Sequence, residues 1–329
     1  MKEFTYQRAT AVVDALTAAA AGARYLGGGT NLVDLMKNGV EEPTRLVDVR
    51  RLPLDGVRDA PDGGLVLGAT TTNSDAAAHP EVRRRFPALS QAVLAGASGQ
   101  LRNMATVGGN LLQRTRCGYF ADLSRPCNKR VPGSGCAAIT GAHHNHAVLG
   151  HSEHCAATHP SDLAVALAAF DAVVRYQTLD GAGEIPLSRF YLPVGDRPDR
   201  ETALPPGALI TAVVLPGAAA SPRSRYRKVR ERASYAFATV SVAAALDIRD
   251  GVVTDARIAL GGVASHPWRA GSAEAVLRGA PVTADRLRAC AEEALTDAKP
   301  LRDNAYKVTL ARNLIQAVLG ELAGTEPAR

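Results

Sequence analysis

Four of the five cysteines in this 329-residue chain lie between Arg114 and His159, together with six of the eight histidines. This segment has neither helical nor strand periodicity, and so long a structureless loop needs an explanation in a compact domain. Bonds between thiolates and a metal would supply one, because they can replace a missing apolar core. The four cysteines are Cys117, Cys127, Cys136 and Cys155.

Several kinds of chemistry are compatible with these cysteines. Structural zinc usually takes closely spaced cysteine pairs, whereas the gaps here are 9, 8 and 18 residues, which counts against zinc. An iron–sulfur cube needs four converging thiolates, which separated positions can supply. Gly133 and Gly135, just before Cys136, allow the close backbone approach that this wrapping requires. Unligated or redox-active thiols stay open, and disulfides would imply an oxidising compartment.

The remaining thiol and the histidines have simpler interpretations. Cys290 lies in a predicted helix, where we expect a buried apolar residue. His-rich stretches can bind metal, but we interpret these histidines as hydrogen-bonding loop residues, and His159 as shaping the corner before Pro160. The other five are His143, His144, His146, His151 and His154.

Two glycine-rich loops could carry a second kind of chemistry. They are Leu26-Gly27-Gly28-Gly29-Thr30-Asn31 and Thr106-Val107-Gly108-Gly109-Asn110-Leu111. Consecutive glycines let backbone N–H groups point into one concavity, which binds phosphate oxygens. Neither loop matches the P-loop or the G-x-G-x-x-G fingerprint. Two similar loops about 80 residues apart suggest one diphosphate ligand held from both sides, a dinucleotide outside the Rossmann fold.

Alternating helices and strands must position these loops. The pattern predicts helices at 10–21, 32–37, 72–79, 86–97 and 161–170, strands at 24–26, 45–49, 65–68 and 172–178, and a turn at 180–183. A breaker-rich linker follows at 216–222. Beyond it, strands at 223–229, 236–248 and 252–260 and helices at 273–277, 284–298 and 306–322 predict a three-stranded sheet backed by helices.

Composition argues against several classes of protein. Hydrophobic residues make up 46% of the chain and charged residues 21%, as in globular domains. The net charge of +6 is spread along the chain and aromatic residues are only 5%, which argues against nucleic-acid binding. No stretch approaches the roughly 18 apolar residues of a membrane span, and the N-terminus lacks signal-peptide features. We therefore expect a cytoplasmic protein, or a periplasmic one if a partner carries the export signal.

At the two glycine loops, the sequence resembles the FAD-binding medium subunits of molybdenum hydroxylases, the xanthine dehydrogenase family. The resemblance covers essentially the whole chain and implies an α+β fold. Residues 1–220 would form a two-part FAD-binding domain of the vanillyl-alcohol-oxidase (PCMH) type. Residues 221–329 would form a small C-terminal domain, with a three-stranded sheet and helices, like that of CO dehydrogenase flavoproteins.

The cysteine-rich loop, about 114–159, narrows the resemblance to the aldehyde-oxidoreductase branch, whose flavin subunit carries an additional [4Fe–4S] cluster. The similar motifs are Arg116-Cys117-Gly118-Tyr119, Pro126-Cys127-Asn128-Lys129, Pro132-Gly133-Ser134-Gly135-Cys136 and His154-Cys155-Ala156-Ala157. The resemblance implies that Cys117, Cys127, Cys136 and Cys155 are the cluster ligands. The cluster would be either an electron relay or a structural clamp on the loop.

The resemblance also assigns residues to FAD. The diphosphate would be held by Leu26, Gly27, Gly28, Gly29, Thr30, Asn31 and Leu32 on one side and by Thr106, Gly109 and Asn110 on the other. Thr115 would contact the cofactor, Asp162 would bind the adenosine ribose or an adjacent polar group, and Lys228 would place a cation near the isoalloxazine. From the residues alone, Asp162 could instead cap a helix, and Lys228 could belong to a solvated charge run.

The function implied is an electron-transfer flavoprotein subunit of a heterotrimeric molybdenum hydroxylase. A molybdopterin-binding large subunit would oxidise the substrate, an aldehyde, and a small subunit would hold two [2Fe–2S] clusters. FAD here would pass the electrons to an external acceptor, so this chain needs no catalytic acid or base for the substrate step. The alternatives are a stand-alone flavin oxidase and a zinc-stabilised binding module.

Overall fold

The computed structural model describes residues 1–218 and 220–324, in which the chain forms 12 strands and 14 helices. The strands are β1 (Thr5–Arg8), β2 (Arg24–Leu26), β3 (Arg45–Asp48), β4 (Val57–Asp59), β5 (Leu65–Gly68), β6 (Val173–Thr178), β7 (Gly181–Pro186), β8 (Leu209–Leu215), β9 (Ser224–Val229), β10 (Val240–Arg249), β11 (Val252–Gly261) and β12 (Trp268–Arg269). The helices are α1 (Val12–Ala20), α2 (Leu32–Lys37), α3 (Asn73–Ala78), α4 (Pro80–Arg85), α5 (Pro87–Ala95), α6 (Gly99–Arg102), α7 (Val107–Leu111), α8 (Gly118–Ala121), α9 (Ala137–Thr140), α10 (Asp162–Ala169), α11 (Leu187–Phe190), α12 (Gly271–Leu277), α13 (Ala284–Glu293) and α14 (Tyr306–Ala323).

The strands of the described residues form three sheets. A small parallel sheet has the order β1-β3-β2, and a five-stranded antiparallel sheet has the order β4-β5-β8-β6-β7. A four-stranded antiparallel sheet, β12-β11-β10-β9, follows in the C-terminal part of the chain. Mixed helices and sheets confirm the α+β prediction. No helix within these residues has the length and apolar character to cross a bilayer.

Some local predictions need correction. The predicted turn at 180–183 is wrong at Gly181–Gly183, which begin β7 and pair with β6. Gly183 is needed there, because a Cβ atom would meet the hydroxyl of Tyr176. The C-terminal sheet has a fourth strand, β12, whose two residues are too few to show periodicity. Residue 219 of the predicted linker and residues 325–329 of the predicted second domain lie outside the described residues.

The C-terminal sheet packs on both faces, as the alternation of side chains along β10 dictates. Ala243 and Ala245 face a core shared with α5 and α10, whereas Val242 and Leu246 face α12, α13 and α14. The approach of α10 is close: a Cβ atom on Gly261 would lie 2.5 Å from a methyl group of Val165. The sheet therefore fixes α10, whose first turn forms part of the site described next.

Candidate functional site

The two glycine-rich loops, separated in sequence, lie against each other in the structure. The first begins at the end of β2, whereas the second, predicted as a loop, is the short helix α7 with Thr106 as its N-cap. A Cβ atom on Gly28 would lie 1.9 Å from the carbonyl oxygen of Met104, and one on Gly27 would lie 2.9 Å from Thr106 Oγ1. Glycine is therefore required at position 28, because any side chain would force the two backbones apart.

The loops border a cleft of about 1510 Å³, to which β2, β8 and α10 also contribute. The sequence-predicted FAD residues that line it are Gly27, Gly28, Gly29, Thr30, Asn31, Leu32, Thr106, Gly109, Asn110, Thr115, Asp162 and Lys228. Leu26 does not line the cleft, because it completes β2 and pairs with Asp48 of β3. Folding thus brings residues from four separate segments of the chain to one surface.

Three buried polar atoms of cleft residues have no hydrogen-bond partner within the described residues: Asn31 Nδ2, Asn73 Oδ1 and His159 Nε2. The other amide atom of Asn31, Oδ1, accepts the backbone N–H of Arg114 at 2.8 Å, which leaves Nδ2 as a free donor. Buried polar groups are nearly always satisfied in native proteins, so these atoms indicate a polar ligand. The glycine cradle and the Asn31 donor fit the phosphate oxygens of a dinucleotide such as FAD.

Two of the predicted threonines use their hydroxyl groups within the protein. Thr106 Oγ1 caps α7 by accepting the N–H of Gly109 at 3.2 Å. Thr115 Oγ1 donates to the carbonyl of Thr158 at 2.9 Å and accepts the N–H of Cys117 at 3.2 Å. Thr115 therefore ties the cleft to the cysteine segment, and its single hydroxyl proton is already donated.

Asp162 and Lys228 form a buried ion pair at the wall of the cleft. Lys228 Nζ lies 2.7 Å from Asp162 Oδ2, and the two side chains are only 3% and 8% exposed. The hydroxyl of Tyr226 donates to the other carboxylate oxygen, and burial together with Asp162 raises the pKa of Tyr226 well above its usual value. Asp162 and Lys228 therefore lie at the same part of the cleft wall, and their contacts with the adenosine ribose and near the isoalloxazine stay predictions.

The simpler interpretations of these two residues are wrong. The helix cap is Ser161, whose Oγ accepts the N–H of Ala164 at 2.9 Å, so Asp162 is free to pair with Lys228. Lys228 is not solvated, because it lies on β9 against α5 and also donates to the carbonyl of Ala95 at 3.3 Å. Both residues are held as part of the cleft wall.

We expect Lys228→Met to lower the free energy of unfolding by about 3–5 kcal/mol, since it leaves the Asp162 carboxylate buried and unpaired. The double variant Asp162→Asn/Lys228→Met should be more stable than the single variant, because both charges are gone. Urea unfolding measures both values. Arg84→Met, which removes an exposed partner of Glu81, is the matched control and should leave the free energy of unfolding almost unchanged, because exposed ion pairs contribute little. Additive losses in the double variant would contradict the pairing.

The four cysteines of the segment converge, and none forms a disulfide. Cys127 and Cys136 form an isolated antiparallel bridge, and the thiols of Cys136 and Cys155 share a hydrogen bond. Cys117 packs beside Cys127 on one side and beside Cys155 on the other. The remaining thiol, Cys290, is buried in α13, as predicted. It lies in the core between the C-terminal sheet and helices α12, α13 and α14, here called the second core.

Local donors influence these sulfurs. Cys117 and Cys136 each precede a short helix, α8 and α9, without capping it, and the N–H of Ala157 donates to the sulfur of Cys155 at 3.4 Å. The hydrogen bond from Cys155, assisted by the N–H groups of Ala138, Ala156 and Ile139, lowers the pKa of Cys136 to about 6. Burial raises the pKa of the Cys117 thiol. The site thus offers donors to thiolates inside an otherwise apolar pocket.

The arrangement does not suit a single metal ion. No group of three or more His, Cys, Asp or Glu side chains in the described ranges is placed to hold one ion. A structural zinc needs four ligands around one point, at about 2.3 Å for sulfur. In an iron–sulfur cube each thiolate binds its own iron, so its four sulfurs lie farther apart.

The histidines of the segment act mostly through hydrogen bonds. His143 is buried, with Nδ1 3.0 Å from the carbonyl of Ala138 and Nε2 accepting the N–H of Asp303 at 3.1 Å. His159 Nδ1 accepts the N–H of Ser161 at 3.3 Å, as expected of a residue that shapes this corner. Burial lowers the pKa of His159 to about 3. His146 differs, because its ring contacts Cys117.

A buried ion network joins the cleft to the cysteine segment. Arg114 Nη1 lies 2.7 Å from Glu41, and Lys129 Nζ lies 2.9 Å from Glu201, which Arg114 also contacts. Burial alone would raise the pKa of Glu201, but Lys129 and Arg114 lower it. Sequence reasoning missed this network, because its four residues come from distant segments that share no spacing signal.

A second cavity, of about 370 Å³, lies beside the cleft. The residues that line both are Arg116, Thr158, His159, Pro160, Asp162, Ala236 and Phe237. The guanidinium of Arg116 stacks over the ring of Phe237, 5.0 Å from its centroid. Cys117 and His146 line the second cavity, so the cysteine site and the cleft are neighbours.

Comparison with protein families and known proteins gives a consistent result. Residues 2–218 match the family described as FAD binding domain in molybdopterin dehydrogenase. Residues 224–322 match the CO dehydrogenase flavoprotein C-terminal domain. The chain is 52% identical over 325 residues to the aldehyde oxidoreductase FAD-binding subunit PaoB of Escherichia coli, with 98% of each chain covered.

Two solved structures share the fold of this chain. Carbon monoxide dehydrogenase from Hydrogenophaga pseudoflava is 26% identical, with a TM-score of 0.74 over 97% of this chain and 96% of that one. Quinoline 2-oxidoreductase from Pseudomonas putida 86 is 22% identical, with a TM-score of 0.75 over 98% of this chain and 99% of that one, a likeness of fold.

Proposed function

Since the chain belongs to the FAD-binding medium subunits of the molybdenum hydroxylases, we propose that it carries electrons from partner subunits to an external acceptor. The partners would be a molybdopterin-binding large subunit, which oxidises an aldehyde, and a small subunit with two [2Fe–2S] clusters. The 52% identity to a protein named as an aldehyde oxidoreductase subunit supports this substrate class. Relatives of this kind do not favour a stand-alone oxidase or a zinc-stabilised module.

One observation carries the FAD part of the proposal. The first glycine loop packs Gly28 against Met104, just before the second loop, at a cleft lined also by Asn31, whose Nδ2 has no partner among the described residues. Backbone N–H groups and an amide donor without a counter-charge are suited to a diphosphate. When bound there, FAD supplies the one- and two-electron redox chemistry. Gly27–Asn31, Thr106, Gly109 and Asn110 would bind its diphosphate.

The rest of the cleft would orient and shield the cofactor. We propose that Lys228, held by Asp162, places positive charge near the isoalloxazine, where it favours the anionic reduced form. Thr115 would act through the backbone contacts that it makes to Thr158 and Cys117. We also propose two domains, 1–220 and 221–329, since the family matches end at 218 and begin at 224.

For the cysteine-rich loop, about 114–159, we propose a [4Fe–4S] cluster bound by Cys117, Cys127, Cys136 and Cys155. Its support is the convergence of these cysteines and the groups that contact their sulfurs, the N–H of Ala157 at Cys155 and the ring of His146 at Cys117. Donors of this kind stabilise thiolate ligands and influence the potential of a cluster. The buried Arg114 network holds the loop beside the cleft.

The test is an anaerobic absorption spectrum of the purified chain, together with flavin, iron and zinc analysis. We expect flavin bands, one FAD, and about four irons per chain, the number in one cube. Flavin without iron would support the assignment as an FAD-binding subunit and contradict the assignment of the cluster. Stoichiometric zinc in place of iron would show that the cysteines bind zinc. Absence of flavin from the anaerobic holoprotein, even after addition of FAD, would overturn the proposed function as a whole.

A further inference from the structure

One histidine of the cysteine segment faces a proposed ligand directly. The Nε2 atom of His146 lies 3.2 Å from the sulfur of Cys117. The side chain is buried, and its other ring nitrogen, Nδ1, has no partner within the described residues. A neutral imidazole donates through one nitrogen and accepts through the other. Since a ligating thiolate is an acceptor, the proton belongs on Nε2, and His146 is a donor to the Cys117 sulfur.

The backbone that carries His146 is held by the C-terminal domain. Lys307, whose side chain is fully buried, donates to the carbonyl of Asn145 at 3.1 Å and of His146 at 2.9 Å. Asn304 Nδ2 donates to the carbonyls of His146 and Ala147 at 3.3 and 3.1 Å. These bonds fix the residues on each side of the ring, so His146 has little freedom to leave the sulfur.

The hydrogen bonds of Asn304 and Lys307, here called the clamp, hold the part of the cysteine segment that carries His146. Besides Asn145 and His146, Lys307 Nζ donates to the carbonyl of Gly262, at the end of β11, and no carboxylate pairs with it among the ion pairs of the described residues. A buried ammonium group with three carbonyl acceptors costs desolvation free energy, so a methionine would pack there more simply. The three hydrogen bonds of Lys307 make the backbone behind the histidine rigid.

We propose that His146 donates a hydrogen bond to the Cys117 sulfur of the iron–sulfur site, thereby raising the reduction potential of that centre, and that Asn304 and Lys307 are positioning residues for it. Hydrogen bonds to ligand sulfurs raise the potential, because they stabilise the more negative reduced state. The inference rests on the cluster in the proposed function, and adds the residue that sets its potential.

The experiment compares His146→Leu, His146→Gln and Asn304→Ala with the wild-type full-length chain, purified anaerobically. Iron and flavin are counted, and the midpoint potential of the iron centre is measured by redox titration. We expect His146→Leu to retain iron and FAD but to shift the midpoint to a more negative value. His146→Gln, whose side-chain amide can still donate, should have a midpoint potential close to that of the wild type. Asn304→Ala should shift the midpoint in the same direction as His146→Leu, but by less.

The matched control is His144→Leu, because His144 is exposed and its ring makes only a surface contact with Glu231. Its potential should equal that of the wild type. An unchanged midpoint in an iron-replete His146→Leu variant would overturn the inference while leaving the cluster in place. If His146→Leu loses iron, the test rests on His146→Gln. A midpoint potential of His146→Gln that is as negative as that of Asn304→Ala, or more negative, would contradict the role of His146 as a donor. A wild-type chain with FAD but no iron would instead overturn the cluster itself.

Discussion

Gly28→Ala is expected to abolish retention of FAD by the purified protein. The added Cβ atom would lie 1.9 Å from the carbonyl oxygen of Met104, so the two loops must separate. Overpacking of this kind costs about 1–3 kcal/mol of stability. Because the cradle depends on this contact, we expect FAD affinity to fall at least about tenfold, which corresponds to about 1.4 kcal/mol. Fluorescence titration of the flavin-depleted protein measures the affinity.

Gly99→Ala is the matched control for this substitution. Gly99 begins α6 in the same region, and a Cβ atom there would meet nothing within 4 Å. Alanine in a compatible helical position is neutral or stabilises by about 0.4–1 kcal/mol, so FAD binding should be unchanged. A Gly28→Ala variant that binds FAD as tightly as the wild type would show that the loop contact does not form the cradle.

Cys136→Ala is expected to lose most of the bound iron while retaining FAD. Cys136 occupies the centre of the cysteine site, where it bridges to Cys127 through the backbone and to Cys155 through the thiol. A [4Fe–4S] cluster that loses one cysteine thiolate has one iron without its protein ligand. The cleft is lined by other residues, so flavin content should change little. Iron analysis and the flavin absorbance of the same sample give both results.

Cys290→Ala serves as the comparison for the loss of a thiol. Cys290 is buried among the apolar residues of the second core and does not belong to the four converging cysteines. Its replacement should retain about four irons per chain, the content of one cube, with only a modest loss of stability. If Cys136→Ala kept the wild-type iron content, or Cys290→Ala lost it, the assignment of the four ligands would be wrong.

Much of the local structure could be predicted from the sequence, because it rests on local rules. The helix predicted at 10–21 occurs as Val12–Ala20, and the strand at 24–26 ends where the glycine loop begins. Asp250 and Gly251 form the hairpin between β10 and β11, as this dipeptide predicts. Glycine runs mark places where side chains are excluded, and the two loops indeed meet.

Other features depend on distant partners and leave no local pattern. Strand β1 is exposed along its whole length and shows no period, so only its pairing with β3 reveals it. The pairing of Asp162 with Lys228 could not be predicted for the same reason, because the two residues are 66 positions apart in the sequence. The Arg114 network and the contact of His146 with Cys117 likewise arise only when the segments are folded together.

The clamp on the cysteine segment also has a consequence for the order of events during protein synthesis. Asp303 and Lys307 bind a segment that lies 160 and 161 residues before them in the chain. The ribosome makes that segment, the cysteines included, well before it makes the helix that fixes it. Since domains fold as units, from the N-terminus onward, the thiols emerge before their final framework exists. We therefore expect this segment to stay open until the C-terminal residues that fix it have been made.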